Sequence, residues 1–529
     1  MTRPSLQIIH SLTEHHALTV LGDANTSLLQ CVGGLPRALH SLAVEAQSPS
    51  VRADKCITLT AEDLQQGQDT WTPAGLRSDV LAAVATFTQL QSVSLHSAWC
   101  SPHDSPEDAE DARMQDSILA TLTALGGSLK CLELAGGVHA AAAVGLSLSL
   151  PSLTMLATIR ISSKFEDPSV PLCKFCSIVE GMAQLPALCS LQLNSYPFAR
   201  FPRPGPMGAP IDVYDTGITG IARLCKGFAQ LTSLICLCLN GLIQPACGAF
   251  SEPVSDEVDR CFQEALRPLT LLESLELNRT VWQYGIAPVM ECVACMSALT
   301  RLVLRASFDN DYQFGEIFWP DLLLRRLREL RELDVSGYCM EAEHADAAAS
   351  LPCLSKLRLA AEGIGHVVID DDFWCAIGRR LPHMSSLRCV RLDDLCIDAF
   401  CGSLRAESGG RAVPCIQSLW FEGCHVDSSD GFKDLAACMK TLTALTAPQL
   451  HVEARSEESE AASPDAAKEV AASLRGMPCL RQLSIELSDT GSEGSKALSD
   501  AVAECFGPAS DVTVSLRLLQ STGGAEDRE

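Results

Sequence analysis

The sequence predicts an α/β solenoid in which short parallel strands alternate with helices. Three features carry that expectation. An apolar pattern ending in LxxLxL recurs down the chain. Its last positions alternate apolar and polar, the period of a strand with one buried face. Ahead of most copies, apolar residues fall three or four apart, as on a helix with one buried stripe.

The join between the two periods is plainest in LRELRELDVSG, residues 327–337. Leucine occupies every third position and then changes step at Leu333-Asp-Val335, so the segment reads as helix end, turn and strand. The same join returns as LPALCSLQL (185–193), LTSLICLCL (231–239), LTLLESLEL (269–277), MSALTRLVL (296–304), LPCLSKLRL (351–359) and MSSLRCVRL (384–392). VPCIQSLWF (413–421), LTALTAPQL (442–450) and MPCLRQLSI (477–485) extend the series. Weaker copies stand at 87–95, 128–134, 156–162 and 35–44. Helical stripes precede them, such as Val258, Cys261, Phe262, Ala265 and Leu266, or Leu498, Ala501, Val502, Cys505 and Phe506.

With repeats about 24 to 46 residues apart, the series resembles the leucine-rich repeat family, in the helix-bearing branch typified by ribonuclease inhibitor and RanGAP. The resemblance covers about residues 87–518, with 35–86 open between further repeats and a separate cap. It implies a curved horseshoe of irregular repeats, with a parallel sheet on the concave side and helices on the convex side. One position departs from the family. Three residues beyond the last strand leucine, where the family carries Asn or Cys to tie off the turn, stand Gly137, Tyr196, Leu242, Thr280, Ser307, Tyr338, Leu395, Cys424 and Ser488. An uneven turn ladder is expected.

Each repeat exposes an apolar flank that only its neighbour covers, so the ends need caps. Residues 1–34 are expected to cap the start, 35–518 to form the solenoid and 519–529 to be a flexible tail. Polar or proline-rich stretches predict loop insertions near 101–116, 196–210, 403–414 and 453–464. The second of these, with Phe198, Arg200, Phe201 and Arg203 among prolines, has the composition to fold over an edge or grip a partner.

A chain of 529 residues with a net charge of −25 and a pI near 4.9 repels phosphate backbones and anionic membranes. Nucleic-acid binding is therefore not expected. No apolar run reaches membrane-spanning length: the best, 140–156, is broken by Gly145, Pro151 and several serines, so no membrane insertion is expected. The 25 cysteines come without an export signal at the start, which predicts reduced thiols and an intracellular, cytoplasmic protein.

A catalytic constellation is absent from the sequence, and neither enzyme activity nor a cofactor is expected. CKFC (173–176) and CVAC (292–295) have CxxC spacing, but no second pair stands at zinc-site distance. Thiols acting as small core hydrophobes or packed surface groups are the expected reading, and no metal is expected. Phosphate-cradling loops, hydrolase elbows and zincin motifs do not occur.

The strand positions between the buried leucines are the informative ones, because period two aims them at the open face. They read Arg301, Val303, Arg305; Glu332, Asp334, Ser336; Lys356, Arg358, Ala360; Cys389, Arg391, Asp393; and Ser418, Trp420, Glu422. With strands about 4.8 Å apart, Arg301–Glu332–Lys356 and Asp334–Arg358 fall into cross-strand charge ladders, which either neutralise themselves or form part of a partner footprint. The candidate partner contacts are Arg301, Arg305, Glu332, Asp334, Lys356, Arg358, Arg391, Trp420 and Glu422, with Arg305 and Arg391 as surplus cations and Trp420 as aromatic anchor. Earlier repeats present a quieter face, with Ser190, Gln192, Asn194, Cys236, Cys238 and Asn240.

The function expected is a non-enzymatic scaffold, monomeric on its own, that binds a protein partner on its concave sheet. Two alternatives from other classes remain open. A ubiquitin-ligase substrate receptor needs an F-box-like module, of which only LPRAL at 35–39 is suggestive. A RanGAP-like GTPase regulator shares the repeats, but none of that family's catalytic residues maps onto this chain.

Overall fold

A computed structural model of the chain describes residues 17–21, 41–45, 58–59, 91–96, 116, 119–135, 140–163, 172–195, 212–240, 252–278, 287–305, 321–338, 340–360, 371–393, 395–413, 415–426, 431–454, 464–489, 493–506 and 513–520. The expected cap at 1–34 (apart from strand 17–21), the insertion at 101–116 (apart from Asp116) and that at 196–210 lie outside them. So do residues 521–529 of the expected tail, and Gly137, Tyr196, Leu242, Thr280 and Ser307 among the turn positions.

The chain divides into two compact units, Met1–Val281 and Trp282–Glu529, a division that nothing in the repeat pattern marks. The first carries strands β1 (Ala17–Leu21), β2 (Ser41–Glu45), β3 (Thr58–Leu59), β4 (Ser92–His96), β5 (Cys131–Ala135), β6 (Thr158–Ser163), β7 (Ser190–Ser195), β8 (Cys236–Asn240) and β9 (Ser274–Asn278). From β4 to β9 each strand pairs in parallel with the next. Parallel neighbours need a crossover between them, and helices supply it. Between β5 and β9 they are α1 (Ala140–Ser149), α2 (Leu172–Met182), α3 (Asp212–Phe228) and α4 (Glu252–Leu266).

The second unit repeats the scheme. Strands β10 (Arg301–Arg305), β11 (Glu332–Ser336), β12 (Lys356–Ala360), β13 (Cys389–Asp393), β14 (Ser418–Val426), β15 (Ala447–Ala454), β16 (Gln482–Asp489) and β17 (Thr513–Gln520) pair successively, all parallel. Each is preceded by a helix: α5 (Ala287–Val293), α6 (Asp321–Leu324), α7 (Ala342–Ala349), α8 (Asp371–Arg380), α9 (Ile397–Ser408), α10 (Gly431–Thr441), α11 (Pro464–Arg475) and α12 (Glu493–Cys505). Both units are thus arrays of alternating helix and parallel strand, as the sequence predicts.

The leucine pattern sets the register. In the first unit Val93, Leu132, Ile159, Leu191, Leu237 and Leu275 face one another across successive strands, all buried. In the second, Leu302, Leu333, Leu357, Val390 and Leu419 form the equivalent row. Leu237, Leu302 and Leu357 are only 1%, 0% and 2% exposed, so each contributes about 1.5–3 kcal/mol of burial. The helical stripes meet these rows from the other layer, with Phe262, Ala265 and Leu266 of α4, Leu435 and Met439 of α10, and Val470, Ala471 and Leu474 of α11 all buried.

At the 327–337 join, α6 ends at Leu324, and the amides of Leu327 and Leu330 then donate to the carbonyls of Leu324 and Leu327 at 3.0 and 3.1 Å. These tight turns bring three leucines to the core before β11 begins. Strand entry repeats one device: two successive amides share a carbonyl of the previous repeat. Arg331 and Glu332 donate to Thr300 O at 2.7 and 3.0 Å, and Ser355 and Lys356 to Arg331 O at 2.8 and 2.9 Å.

Three expectations need correction. Residues 403–408, read as loop insertion, form the last turns of α9. Their polar composition hid a stripe of Ile397, Phe400, Cys401 and Leu404 that is buried and pulls the helix on. The helix then stops at Gly409, whose left-handed φ of 56° and amide bond to Arg405 O cap it. Likewise β15 runs to Ala454 and β17 to Gln520, one residue or more into the stretches read as insertion and tail. Among the described residues, no helix is long and apolar enough to cross a membrane.

Candidate partner-binding face

Strands β10 to β14 turn their alternate positions away from the leucine rows, and three cross-strand lines result. The first runs Arg301, Glu332, Lys356, Cys389, Ser418; the second Val303, Asp334, Arg358, Arg391, Trp420; the third Arg305, Ser336, Ala360, Asp393, Glu422. All nine residues singled out from the sequence therefore lie on one sheet face.

Their charges are wired together. Arg301 donates Nε to Glu332 Oε1 at 3.0 Å, and Lys356 Nζ lies 3.5 Å from the other oxygen of the same carboxylate. Arg305 reaches diagonally to Asp334. Asp334 also lies 3.7 Å from Arg358, which donates Nη2 to Asp393 at 2.7 Å. Asp393 takes a second guanidinium, Arg391 Nε, at 2.9 Å, and Arg391 passes on to Glu422. Arg305 and Arg391, expected as surplus cations, are both paired. Arg358 and Arg391 stand directly opposite each other in register, an arrangement that is destabilising for like charges, and Asp393 between them relieves it.

The layering is uneven. Asp334 and Asp393 side chains are 9% and 7% exposed, whereas Lys356, Arg301 and Arg305 are 60%, 36% and 34% exposed. Short Asp side chains stay near the sheet while long basic ones arch over them. Small neighbours leave room for this: Ser336 and Ala360 in the third line are wholly buried. Val303, read as facing outward, is also wholly buried, so the face is more closed at β10 than the alternation implies.

Trp420 closes the pattern on β14. It is 37% exposed, and the Arg391 guanidinium carbon lies 4.2 Å from its ring centroid. A cation held by two carboxylates is thereby stacked on an accessible indole. Just beyond, Gly423 takes a left-handed φ of 62° where the register with β15 shifts between Phe421 and Cys424. Sequence reasoning placed Asp393 on the face without counting it among the contacts. The signal was its parity with Arg391, and the hub role comes from a diagonal that in-register pairing does not foretell.

The corresponding face of the first unit is built differently. Ser162, Asn194, Asn240 and Asn278 stand in one line, and Asn240 Nδ2 donates to Asn194 Oδ1 while Asn194 Nδ2 donates to Ser162 Oγ at 3.2 Å. Arg160 and Glu133, 3.9 Å apart, form the ion pair seen on that face among the described residues.

Among the described residues the thiols divide between core and partly exposed positions, eight buried and eleven intermediate or exposed. Cys176, Cys225, Cys261, Cys292, Cys396, Cys401, Cys424 and Cys438 are buried as thiols, outside any disulfide. Cys401 sits within hydrogen-bond reach of Cys438 with Cys424 close by, and burial pushes its pKa well up, which keeps it a neutral thiol. In the 292–295 pair, Cys292 is buried while Cys295 is exposed and bonds Glu291 O, so the two point apart. At the turn position, Cys424 donates Sγ to Leu392 O at 3.4 Å, whereas Tyr338 and Leu395 fill their sites with buried bulk. Among the described residues, no cluster of three or more His, Cys, Asp or Glu side chains has metal-site geometry. No family model matches this sequence, and no curated protein matches it either.

Proposed function

We propose that this chain is a leucine-rich repeat protein of the helix-bearing branch and acts without catalysis, as a scaffold that binds a protein partner on the β10–β14 face. The observation that carries the reading is Trp420, an exposed tryptophan held beneath a doubly paired Arg391 on a rigid parallel sheet. Tryptophan and arginine are the residue types that dominate interface energetics. The wired charges fix the side chains before any partner arrives, so little ordering cost remains on binding. An intracellular, cytoplasmic setting belongs to the same reading and rests on the many free thiols.

The test is affinity capture from lysate with the wild-type chain and with Trp420→Ala. A partner held by the wild type and lost by the variant, while the variant still unfolds cooperatively above the assay temperature, supports the reading. Equal retention by both would move the contact surface elsewhere. Arg358→Glu is the less clean probe, because Arg358 bridges Asp334 and Asp393 and its reversal disturbs the sheet itself.

A further inference from the structure

We infer that the first unit holds a calcium site between β8 and β9, where the amide carbonyls of Asn240 and Asn278 stand level beside the Glu276 carboxylate. The site belongs to the other unit from the β10–β14 face, so it stands or falls independently of the scaffold reading.

Asn240 Oδ1 is shut off from solvent and accepts no hydrogen bond. An orphaned buried acceptor is rare in folded proteins and marks a place for an ion or an ordered water. Its direction follows from its neighbours. Asn240 Nδ2 donates to Asn194 Oδ1 on β7, which also takes the Cys238 thiol at 3.9 Å, while Asn194 Nδ2 donates to Ser162 Oγ at 3.2 Å. Turning the Asn240 amide over would set two carbonyl oxygens against each other. The donor therefore faces β7, and the carbonyl faces the opposite side, where β9 lies. Directly across on β9 stands Asn278. It is 8% exposed, its Oδ1 is buried, and its Nδ2 donates to Glu276 Oε1.

Asn240 Oδ1 calls for a donor or a cation, and the surroundings favour the cation. Glu276 places a full negative charge within one hydrogen bond of Asn278, in a chain of net charge −25 that draws cations towards it. Among the described residues, the basic side chain on this face is Arg160, which stands on β6 and lies 3.9 Å from Glu133. Carbonyl and carboxylate oxygens suit calcium or magnesium. Spacing decides between the two. With strands about 4.8 Å apart, an ion midway between level oxygens lies about 2.4 Å from each. That is within calcium's range of about 2.3–2.6 Å and beyond magnesium's of about 2.0–2.1 Å. Calcium also tolerates an irregular shell completed by water, whereas magnesium demands a near-ideal octahedron. Two carbonyls and one neighbouring carboxylate are few ligands, which sets the expected dissociation constant at about 10⁻⁴–10⁻³ M.

The experiment follows calcium binding to the full-length chain, stripped with EDTA and returned to chelator-free buffer, by equilibrium dialysis against radioactive calcium chloride. Magnesium and potassium chloride serve as competitors. Glu276→Gln removes the charge, Asn240→Leu removes the orphaned oxygen, and Asn240→Asp keeps an oxygen there. Glu257→Gln, at an exposed carboxylate on α4, is the control. The expected result is a single saturable ion in the wild type, weakened about tenfold or more by Glu276→Gln and by Asn240→Leu. Asn240→Asp binds at least as tightly as the wild type, and Glu257→Gln binds equally. Because Asn240→Asp restores what Asn240→Leu removes, a loss through misfolding is told apart from a loss of the site. Calcium held equally by Glu276→Gln, Asn240→Leu and the wild type is ion scattered over an acidic surface and overturns the site. No saturable uptake below about 10 mM calcium leaves Asn240 Oδ1 to a water and overturns it too. Magnesium or potassium displacing calcium at equal concentration overturns the choice of ion.

Discussion

Arg391 and Trp420 stand side by side in register on β13 and β14, with the guanidinium carbon 4.2 Å from the indole ring centroid. The cation is fixed from its other side by Asp393 and Glu422. A double-mutant cycle with Arg391→Ala and Trp420→Ala, read by urea unfolding, is expected to give a coupling of about 0.5–1 kcal/mol, the range of an accessible cation–π pair. Zero coupling would mean that the stacking is incidental.

Asp393 is the more consequential residue for stability. Its carboxylate separates Arg358 from Arg391, and it is nearly buried. Asp393→Ala leaves two like charges opposed across the ladder and is expected to destabilise by about 1–3 kcal/mol. Glu422→Ala, at a side chain 44% exposed, is expected to cost less than about 1 kcal/mol. Chemical denaturation of the two variants measures the difference, and equal effects would contradict the layered arrangement.

A close approach between helices gives a third expectation. A Cβ built on Gly378 of α8 would lie 2.5 Å from the Phe400 carbonyl oxygen of α9. The helices cannot hold their present spacing around even a methyl group. Gly378→Ala is expected to cost about 1–3 kcal/mol, measurable as a lower denaturation midpoint with unchanged helix content.

The division between what could and could not be read beforehand follows from period. Leu333, Leu357 and Val390 face one another because a strand's two-residue period is visible in any linear pattern, and so the strands and their register were legible. The first-line pairing of Arg301, Glu332 and Lys356 followed directly from that register. Side-chain reach was not legible. Arg305 turns to Asp334 and Arg358 to Asp393 along diagonals set by side-chain length, and the burial of Val303 depends on surroundings far in sequence. The end of α9 was missed because its exposed side is polar, although Ile397, Phe400 and Leu404 carried the helical period throughout.

Alkaline pH is expected to weaken the fold. Burial holds the Tyr338 phenol well above the usual tyrosine range, and it likewise raises the Cys225 and Cys401 thiols. Each raised group binds its proton more tightly in the folded chain than in the unfolded one. The associated stability is complete below the unfolded pKa values, near 8.5 for thiols and 10 for tyrosine, and is lost as pH climbs above them. Unfolding midpoints between neutral pH and about pH 11 should fall, and Tyr338→Phe should flatten the upper part of that decline. A midpoint indifferent to pH over this range would contradict the burial of these groups.

The central claim concerns where a partner lands, and two tryptophans report on it. Trp420 is 37% exposed on the charged face, while Trp374 is 1% exposed inside α8. Hydroxyl-radical footprinting of the free chain, and of the chain with its captured partner, measures both at once. The expected result is oxidation of Trp420 in the free chain, its protection in the complex, and no oxidation of Trp374 in either. Trp420 oxidised to the same extent with and without partner would contradict the account.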